Sequence, residues 1–282
     1  MARLNRRTFL KTAALAAGAL PLAANEKTPA HETLRFIHVT DSHMDMSDPD
    51  TVDALKLMVA FVNKHYPHLD FVLFGGDNFN NNVPGDKDAR TFKSVCDALH
   101  CPYYSVRGNK ESSPKPANDP IGPKAFADLF LSREDLEVEG LNWALARKGH
   151  LVLGLDSCIE HANNGRYTEQ TLRFAERMLS KKMPTVILNH HPYTNYWGGT
   201  DPKDLHKYVL GNTDEAQKRL FGFPNLRLTL SGHKHIDSVT KIGHVTVAVT
   251  RGFIRPLDLD MFPMRYVEMT GDKVQEKLIY TA

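Results

Sequence analysis

Seven side chains with ligand chemistry, Asp41, His43, Asp77, Asn109, His190, His233 and His235, are scattered over nearly two hundred residues. They fall in five short blocks: Asp41-Ser42-His43, Gly76-Asp77, Gly108-Asn109, Asn189-His190 and Gly232-His233-Lys234-His235. Asp77 offers two carboxylate oxygens and so can bridge two ions, and Asn109 offers a neutral carbonyl oxygen. Four imidazoles and two carboxylates without a thiolate suit Mn, Fe, Zn or Co, and argue against a structural zinc site built on cysteine. The chemistry expected of such a set is two-metal hydrolysis.

Each block opens one or two residues beyond a short run rich in β-branched and aromatic residues, at 34–39, 71–74, 103–106, 186–188 and 226–230. Such runs read as buried strands. Where strands alternate with helices, ligands gather beyond the strands' carboxyl ends, so blocks distant in sequence converge. In an extended segment residues i and i+2 face the same way, which pairs Asp41 with His43 and His233 with His235. Helical patterns fit residues 51–65, 88–99, 124–131, 168–179 and 214–220, and strands fit 265–269 and 274–280. Loop signals at 78–88, 112–124 and 192–204 follow ligand blocks and should border one crevice.

Residues 5–11, Asn-Arg-Arg-Thr-Phe-Leu-Lys, precede a small-residue apolar stretch of 13 residues at 12–24 and resemble a twin-arginine export signal. A spanning helix needs about 20 apolar residues, so cleavage near Ala24 is expected rather than anchoring. The expected product is one domain, 25–282, periplasmic or otherwise exported through the twin-arginine machinery, with no stable membrane insertion. Losing Arg3, Arg6, Arg7 and Lys11, and no acid, takes the formal charge from +2 to −2. No basic footprint for long nucleic acid is left. Cys96, Cys101 and Cys158 are too few for a disulfide framework and are expected as buried free thiols.

The order Asp-x-His, Gly-Asp, Gly-Asn, His, Gly-His-x-His resembles the calcineurin-like metallophosphoesterases from about Leu34 to Val249. The resemblance implies an α/β fold of two packed mixed β-sheets flanked by helices in four layers. It also implies Asp41, His43, Asp77 and His235 on one metal, and Asp77, Asn109, His190 and His233 on the other. Departures narrow the branch. The Asp and Arg that follow the second block in Ser/Thr protein phosphatases, and the His of Gly-Asn-His-Glu, are missing: the chain reads Asn78-Phe79-Asn80-Asn81 and Gly108-Asn109-Lys110-Glu111. The purple acid phosphatase Tyr is replaced by Asn80, which argues against a tyrosinate-bound ferric ion. Leu155-Asp156-Ser157 and the stretch Gly165 to Gln170 resemble the bacterial cyclic-nucleotide phosphodiesterases and glycerophosphodiesterases.

Two divalent or mixed-valence ions, Mn or Fe favoured over Zn or Co, against the carboxylates of Asp41 and Asp77 would leave a centre of about +2. The expected reaction is hydrolysis of a small phosphodiester by direct attack of a metal-bridging hydroxide. The alternatives are a phosphomonoesterase with the same centre and a non-catalytic metal-binding scaffold. Lys110 stands where related enzymes often carry a His. With an ordinary pKa of about 10.4 it can stabilise phosphate charge or a departing oxygen, or it is a solvated side chain beside a ligand. His38 reads as a core or supporting residue, and His191 as a supporting or packing one because it points away from His190. Glu111 supports Asn109 or is a surface acid. Tyr193, Tyr196 and Trp197 stack on a flat substrate group or pack on their own scaffold. His65, His68, His100 and His206 are given no role.

Overall fold

All five apolar runs ahead of the ligand blocks are strands. The computed structural model describes residues 32–112, 121–195, 201–254 and 262–281; the twin-arginine-like segment, Tyr196 and Trp197 lie outside the described residues. Strands β1 (Leu34–Val39), β2 (Phe71–Phe74) and β3 (Tyr103–Ser105) are parallel neighbours. A second sheet contains β4 (Glu137–Glu139), β5 (Asn142–Arg147), β6 (His150–Gly154), β7 (Thr185–Leu188), β8 (Leu226–Ser231), β9 (Ser238–Ile242) and β10 (Val245–Val249). Its order is β4-β5-β6-β7-β8-β10-β9, with β6, β7, β8 and β10 parallel and the outer strands antiparallel. The chain then returns to the first sheet as β11 (Phe262–Thr270) and β12 (Lys273–Thr281), giving the order β12-β11-β1-β2-β3.

Side-chain alternation along the second sheet separates two cores. Val152, Val186, Leu188, Leu228, Leu230 and Ala248 pack toward the first sheet, while Leu151, Leu153, Ile187, Leu226 and Val247 pack outward. The outward set is covered by α4 (Glu169–Leu179) and α5 (Thr213–Leu220), which follow α1 (Pro49–His65), α2 (Lys87–Cys96) and the short α3 (Pro123–Phe126) along the chain. Helix α1 starts with Pro49 in its first turn and buries Leu55, Met58, Val59 and Val62, the 3.6-residue stripe that the sequence shows. In α4 the Thr168 hydroxyl accepts the Thr171 N–H at 3.1 Å, a side-chain N-cap. The fold is therefore α/β, two mixed sheets face to face with helices outside, as the resemblance implies.

Two expected helices differ. The one at 88–99 ends at Cys96, where Ala98 and Leu99 N–H groups bond three residues back and tighten the chain into a turn. The one at 124–131 is a single α turn followed by a π turn, Ala127–Leu131. Cys96 and Cys101 are buried and Cys158 is half-buried, all three free. No described helix is long and apolar enough to cross a membrane.

A row of aromatic rings joins the sheets: Phe36 on Phe71 at 5.2 Å, Phe71 on Tyr104 at 5.6 Å, and Tyr104 on Trp143 of β5 at 5.7 Å. Trp143 is fully buried, and its indole N–H donates to the Ser105 carbonyl across the sheet interface at 2.8 Å. Trp143→Phe keeps an aromatic ring but removes that donor. It should cost about 1–3 kcal/mol in urea unfolding, with the slope of the transition unchanged.

Candidate metal centre

Strands β1, β2 and β3 of one sheet and β7 and β8 of the other bring their carboxyl ends to one cleft. Backbone bonds knit the blocks there: Asp41 N–H to Gly76 O at 3.0 Å, His43 N–H to Asp77 O at 2.9 Å, and Gly232 N–H to His190 O at 3.0 Å. Gly108 is required by close approach, since a Cβ there would lie 2.2 Å from the Asp77 nitrogen. The pairing expected from extended backbone holds for Asp41 and His43, which share one half of the site, but not for His233 and His235. Asp41, His43, Asp77, His233 and His235 have φ of 55°, 42°, 50°, 67° and 57°, so the chain turns left-handed at each, and His233 and His235 face different halves of the site.

In one half, His235 Nε2 lies 3.1 Å from both Asp41 Oδ1 and His43 Nε2, and His43 Nε2 is 3.8 Å from Asp77 Oδ2. In the other, His190 Nε2 lies 3.2 Å from Asn109 Oδ1, 3.1 Å from His233 Nδ1 and 3.5 Å from Asp77 Oδ1. The two oxygens of Asp77 thus face opposite halves. All seven side chains expected to converge do so, and Lys110 borders the same cleft.

The outer nitrogens of three imidazoles assign their tautomers. His43 Nδ1–H donates to Asn80 Oδ1 at 2.9 Å, His190 Nδ1–H to Gly75 O at 2.9 Å, and His233 Nε2–H to Lys207 O at 2.8 Å. Each ring then turns a bare lone pair inward. His190 Nε2 and His233 Nδ1 have no proton between them at 3.1 Å, and Asp41 Oδ1 is buried without a hydrogen bond. Lone pairs of N and O converging in this way repel unless cations lie among them, so the residues fit two metal ions. Burial would raise the Asp41 carboxyl, but His235 beside it holds it well below the carboxylate range. Burial, reinforced by His190, lowers His233 to about 4, and burial also lowers His43, which keeps these rings neutral and ligand-competent.

Several supports were not legible in the sequence. Glu111 is neither a surface acid nor a partner of Asn109. It is fully buried and accepts the backbone N–H groups of Asp77 (3.0 Å), Asn78 (2.6 Å), Phe79 (3.3 Å) and Gly108 (2.6 Å). Burial and the nearby Asp77 charge push its carboxyl up while those N–H groups pull it back. Asn163 Oδ1 accepts the Asn109 amide at 3.4 Å, turning the Asn109 oxygen inward. Arg107, buried, pairs with Asp156 at 2.9 Å and Glu160 at 2.6 Å, tying the third block to the loop after β6.

The cleft has a volume of about 620 Å3 and is further walled by Asn164, His206, Lys207 and Tyr208. His206, given no role from sequence, belongs to this wall because the 3-10 helix Pro202–Lys207 lies against the site. His191 does not turn away from it: its ring sits 4.5 Å from that of His233. Both its nitrogens are occupied, Nδ1 with Ser157 Oγ at 2.8 Å and Nε2 with Asn163 O at 3.2 Å, which leaves it a supporting residue. Tyr193 packs on its own scaffold, with its hydroxyl 2.6 Å from that of Tyr167 and its ring 5.2 Å from Phe221.

The arrangement of two packed sheets recurs in solved structures. A dimetal phosphatase from Danio rerio superposes with a TM-score of 0.64 over 88% of this chain and 99% of its own, at 13% identity. A purple acid phosphatase from yellow lupin does so with a TM-score of 0.62 over 89% of this chain and 52% of its own, also at 13% identity. Residues 34–237 match the calcineurin-like phosphoesterases, and the chain belongs to that family. A probable glycerophosphodiester phosphodiesterase from Arcobacter nitrofigilis is 24% identical over 237 residues, 80% of each chain. The 3',5'-cyclic adenosine monophosphate phosphodiesterase of Escherichia coli K12 is 22% identical over 228 residues, 77% of this chain and 72% of its own. The chain is thus a metallophosphoesterase with phosphodiesterase relatives.

His38 lies beneath this centre, fully buried, with Nδ1 2.9 Å from Thr250 Oγ1. Burial, then the charge of Arg265, lowers its pKa from 6.5 to about 3. The unfolded chain therefore binds the extra proton between those values. The contribution of His38 to stability is complete above about pH 6.5 and is lost as pH falls toward about 3. In chelator-treated protein the urea midpoint should fall over this window, and less steeply in His38→Asn.

Proposed function

We propose that the protein is a dinuclear phosphodiesterase acting on a small diester such as a cyclic nucleotide or a glycerophosphodiester. The observation that carries this reading is the two sets of inward lone pairs sharing Asp77. Asp41, His43, Asp77 and His235 would hold one ion, and Asp77, Asn109, His190 and His233 the other; Mn or Fe is favoured. When bound, such ions supply a water-derived nucleophile at neutral pH and the positive charge that binds a phosphate.

The chain's own residues do the rest. Asn80, Gly75 and Lys207 keep the histidine protons on the outer nitrogens, so the inner ones stay free for ligation. Glu111 fixes the Asp77 turn. Around the described cleft the lining offers no Ser, Thr or Cys as a covalent nucleophile, which supports direct attack by water with inversion at phosphorus. Asn163, Asn164 and His206 face the cleft as polar partners for the non-reacting part of the substrate. The diester preference rests on the relatives' printed activities. Export through the twin-arginine machinery to the periplasm, proposed from residues 5–24, completes the reading.

The Lys110 ammonium has no hydrogen bond or ion pair among the described residues, whereas Lys207 pairs with Asp204 at 2.8 Å. It is therefore free to meet a phosphate or departing oxygen. Its backbone N–H, which donates to Asp77 Oδ1 at 2.7 Å, survives substitution. Lys110→Ala should lower turnover of alkyl phosphodiesters by roughly tenfold or more and spare bis(p-nitrophenyl) phosphate, whose leaving group needs little help. Equal losses on both substrates would remove Lys110 from the chemistry.

Turnover of Mn-reconstituted protein on bis(p-nitrophenyl) phosphate, compared with p-nitrophenyl phosphate and a chelated control, tests the whole reading. A chelator-sensitive preference for the diester is expected. A preference for the monoester would replace it with the phosphatase alternative, and stoichiometric metal without turnover of any phosphate ester would leave the scaffold.

A further inference from the structure

Arg265 is the one arginine of the described residues that ranks among the largest fully buried side chains, and it carries its charge into the space between the sheets. It stands on β11 opposite His38 of β1. Its guanidinium makes three separate attachments. One Nη pairs with Asp237, the other with Glu276 on β12, and Nε–H donates to Thr250 Oγ1 at 3.0 Å. Burying a cation this deeply is costly unless the pairing is tight, so the position calls for a reason beyond stability.

The attachments point to one. Asp237 lies two residues beyond His235, at the far end of the turn that carries His233 and His235. That turn is half-exposed or exposed from His233 to Asp237, and both histidines hold left-handed backbone. Packing alone holds such a segment poorly. Its near end is fixed by Gly232 N–H to His190 O and by His233 N–H to Asp41 Oδ2, each at 2.9–3.0 Å. Asp237 gives it a second anchor, on the opposite sheet. Thr250, the third attachment, begins the segment that runs under His235. A Cβ at Gly252 would lie 2.8 Å from His235 Cγ, so backbone and imidazole are in direct contact there. Arg265 therefore grips both the end of the turn and the floor beneath its second histidine. Arg251 is a further cation near Asp237, but it lies on that floor segment and not on the first sheet.

We propose that Arg265, acting through Asp237, is a positioning residue for the metal centre that holds the His233–His235 turn in its ligand-presenting form. The inference rests on the dinuclear reading. Glu276 supplies the control, because it neutralises the same guanidinium from β12, which carries none of the seven ligand side chains.

The experiment is calorimetric titration of chelated, full-length protein with Mn(II), for wild type, Asp237→Asn and Glu276→Gln, beside urea unfolding of each metal-free protein. Asp237→Asn should weaken Mn binding roughly 10–100-fold, the range for groups that support metal ligands. Glu276→Gln should leave affinity within about threefold whatever it does to the unfolding midpoint. Wild-type affinity in Asp237→Asn, or equal weakening in both variants, would overturn the proposal and reduce Arg265 to a structural ion pair. Absence of stoichiometric Mn binding in wild type would overturn the dinuclear reading and the positioning role with it, so the two failures are distinguishable. Should Asp237→Asn not fold, Asp237→Glu, which keeps the charge at a longer reach, takes its place with the same 10-fold threshold.

Discussion

Crowded lone pairs set the terms for this molecule. Imidazole nitrogens and carboxylate oxygens meet at 3.1–3.9 Å with their outer positions already committed to Asn80, Gly75 and Lys207. Those outer bonds hold the convergence in place. The surrounding structure consists largely of devices that prevent it from relaxing. A ring that flipped to place a proton inward would relieve the repulsion, but would leave a buried carbonyl without its donor.

The backbone is under related constraint. Left-handed conformation at five non-glycine residues costs about 1 kcal/mol or more at each. Those residues belong to turns tied to one another: the Asp41 turn to Gly76, the Asp77 turn to Glu111, and the His233 turn to Asp41. The restraints form a ring across both sheets. At the site the strain thus falls on the turns beyond the strand ends, while the strands that carry them pack in ordinary extended conformation.

Much of this was legible before the structure. The five strands could be read because each is a short apolar run cut off by a Gly, Asn or Asp block, and the ligand-type side chains follow from those ends. Helices α1 and α4 were equally plain from their apolar stripes. Strands β4 to β6 were harder. Their residues, 137–154, mix acids, Arg147 and Lys148 with apolar positions and resemble loop. The cleft wall was harder still, because Asn163 and Asn164 sit on a turn and His206 and Tyr208 at the end of a short 3-10 helix, where polar residues are the rule and no periodicity marks them. Glu111 read as a support for Asn109 or a surface acid because it sits two residues past Asn109 among polar neighbours. A usable signal was the shortage of other acceptors for the N–H groups of two tight glycine turns. His191 keeps the supporting role read for it but does not point away, because extended backbone ends at β7.

The site's division between two sheets also fixes an order of events. One sheet's strand ends bear Asp41, His43, Asp77 and Asn109, and the other's bear His190, His233 and His235. Each half of the centre draws on both groups, so neither sheet alone can assemble a complete ligand set. Ion capture by such a site would wait for docking of segments far apart in sequence, the slowest kind of contact to form. Selection among competing divalent ions would then depend less on intrinsic affinity, which favours copper in any nitrogen-rich set, than on which ions surround the chain at the moment the sheets close.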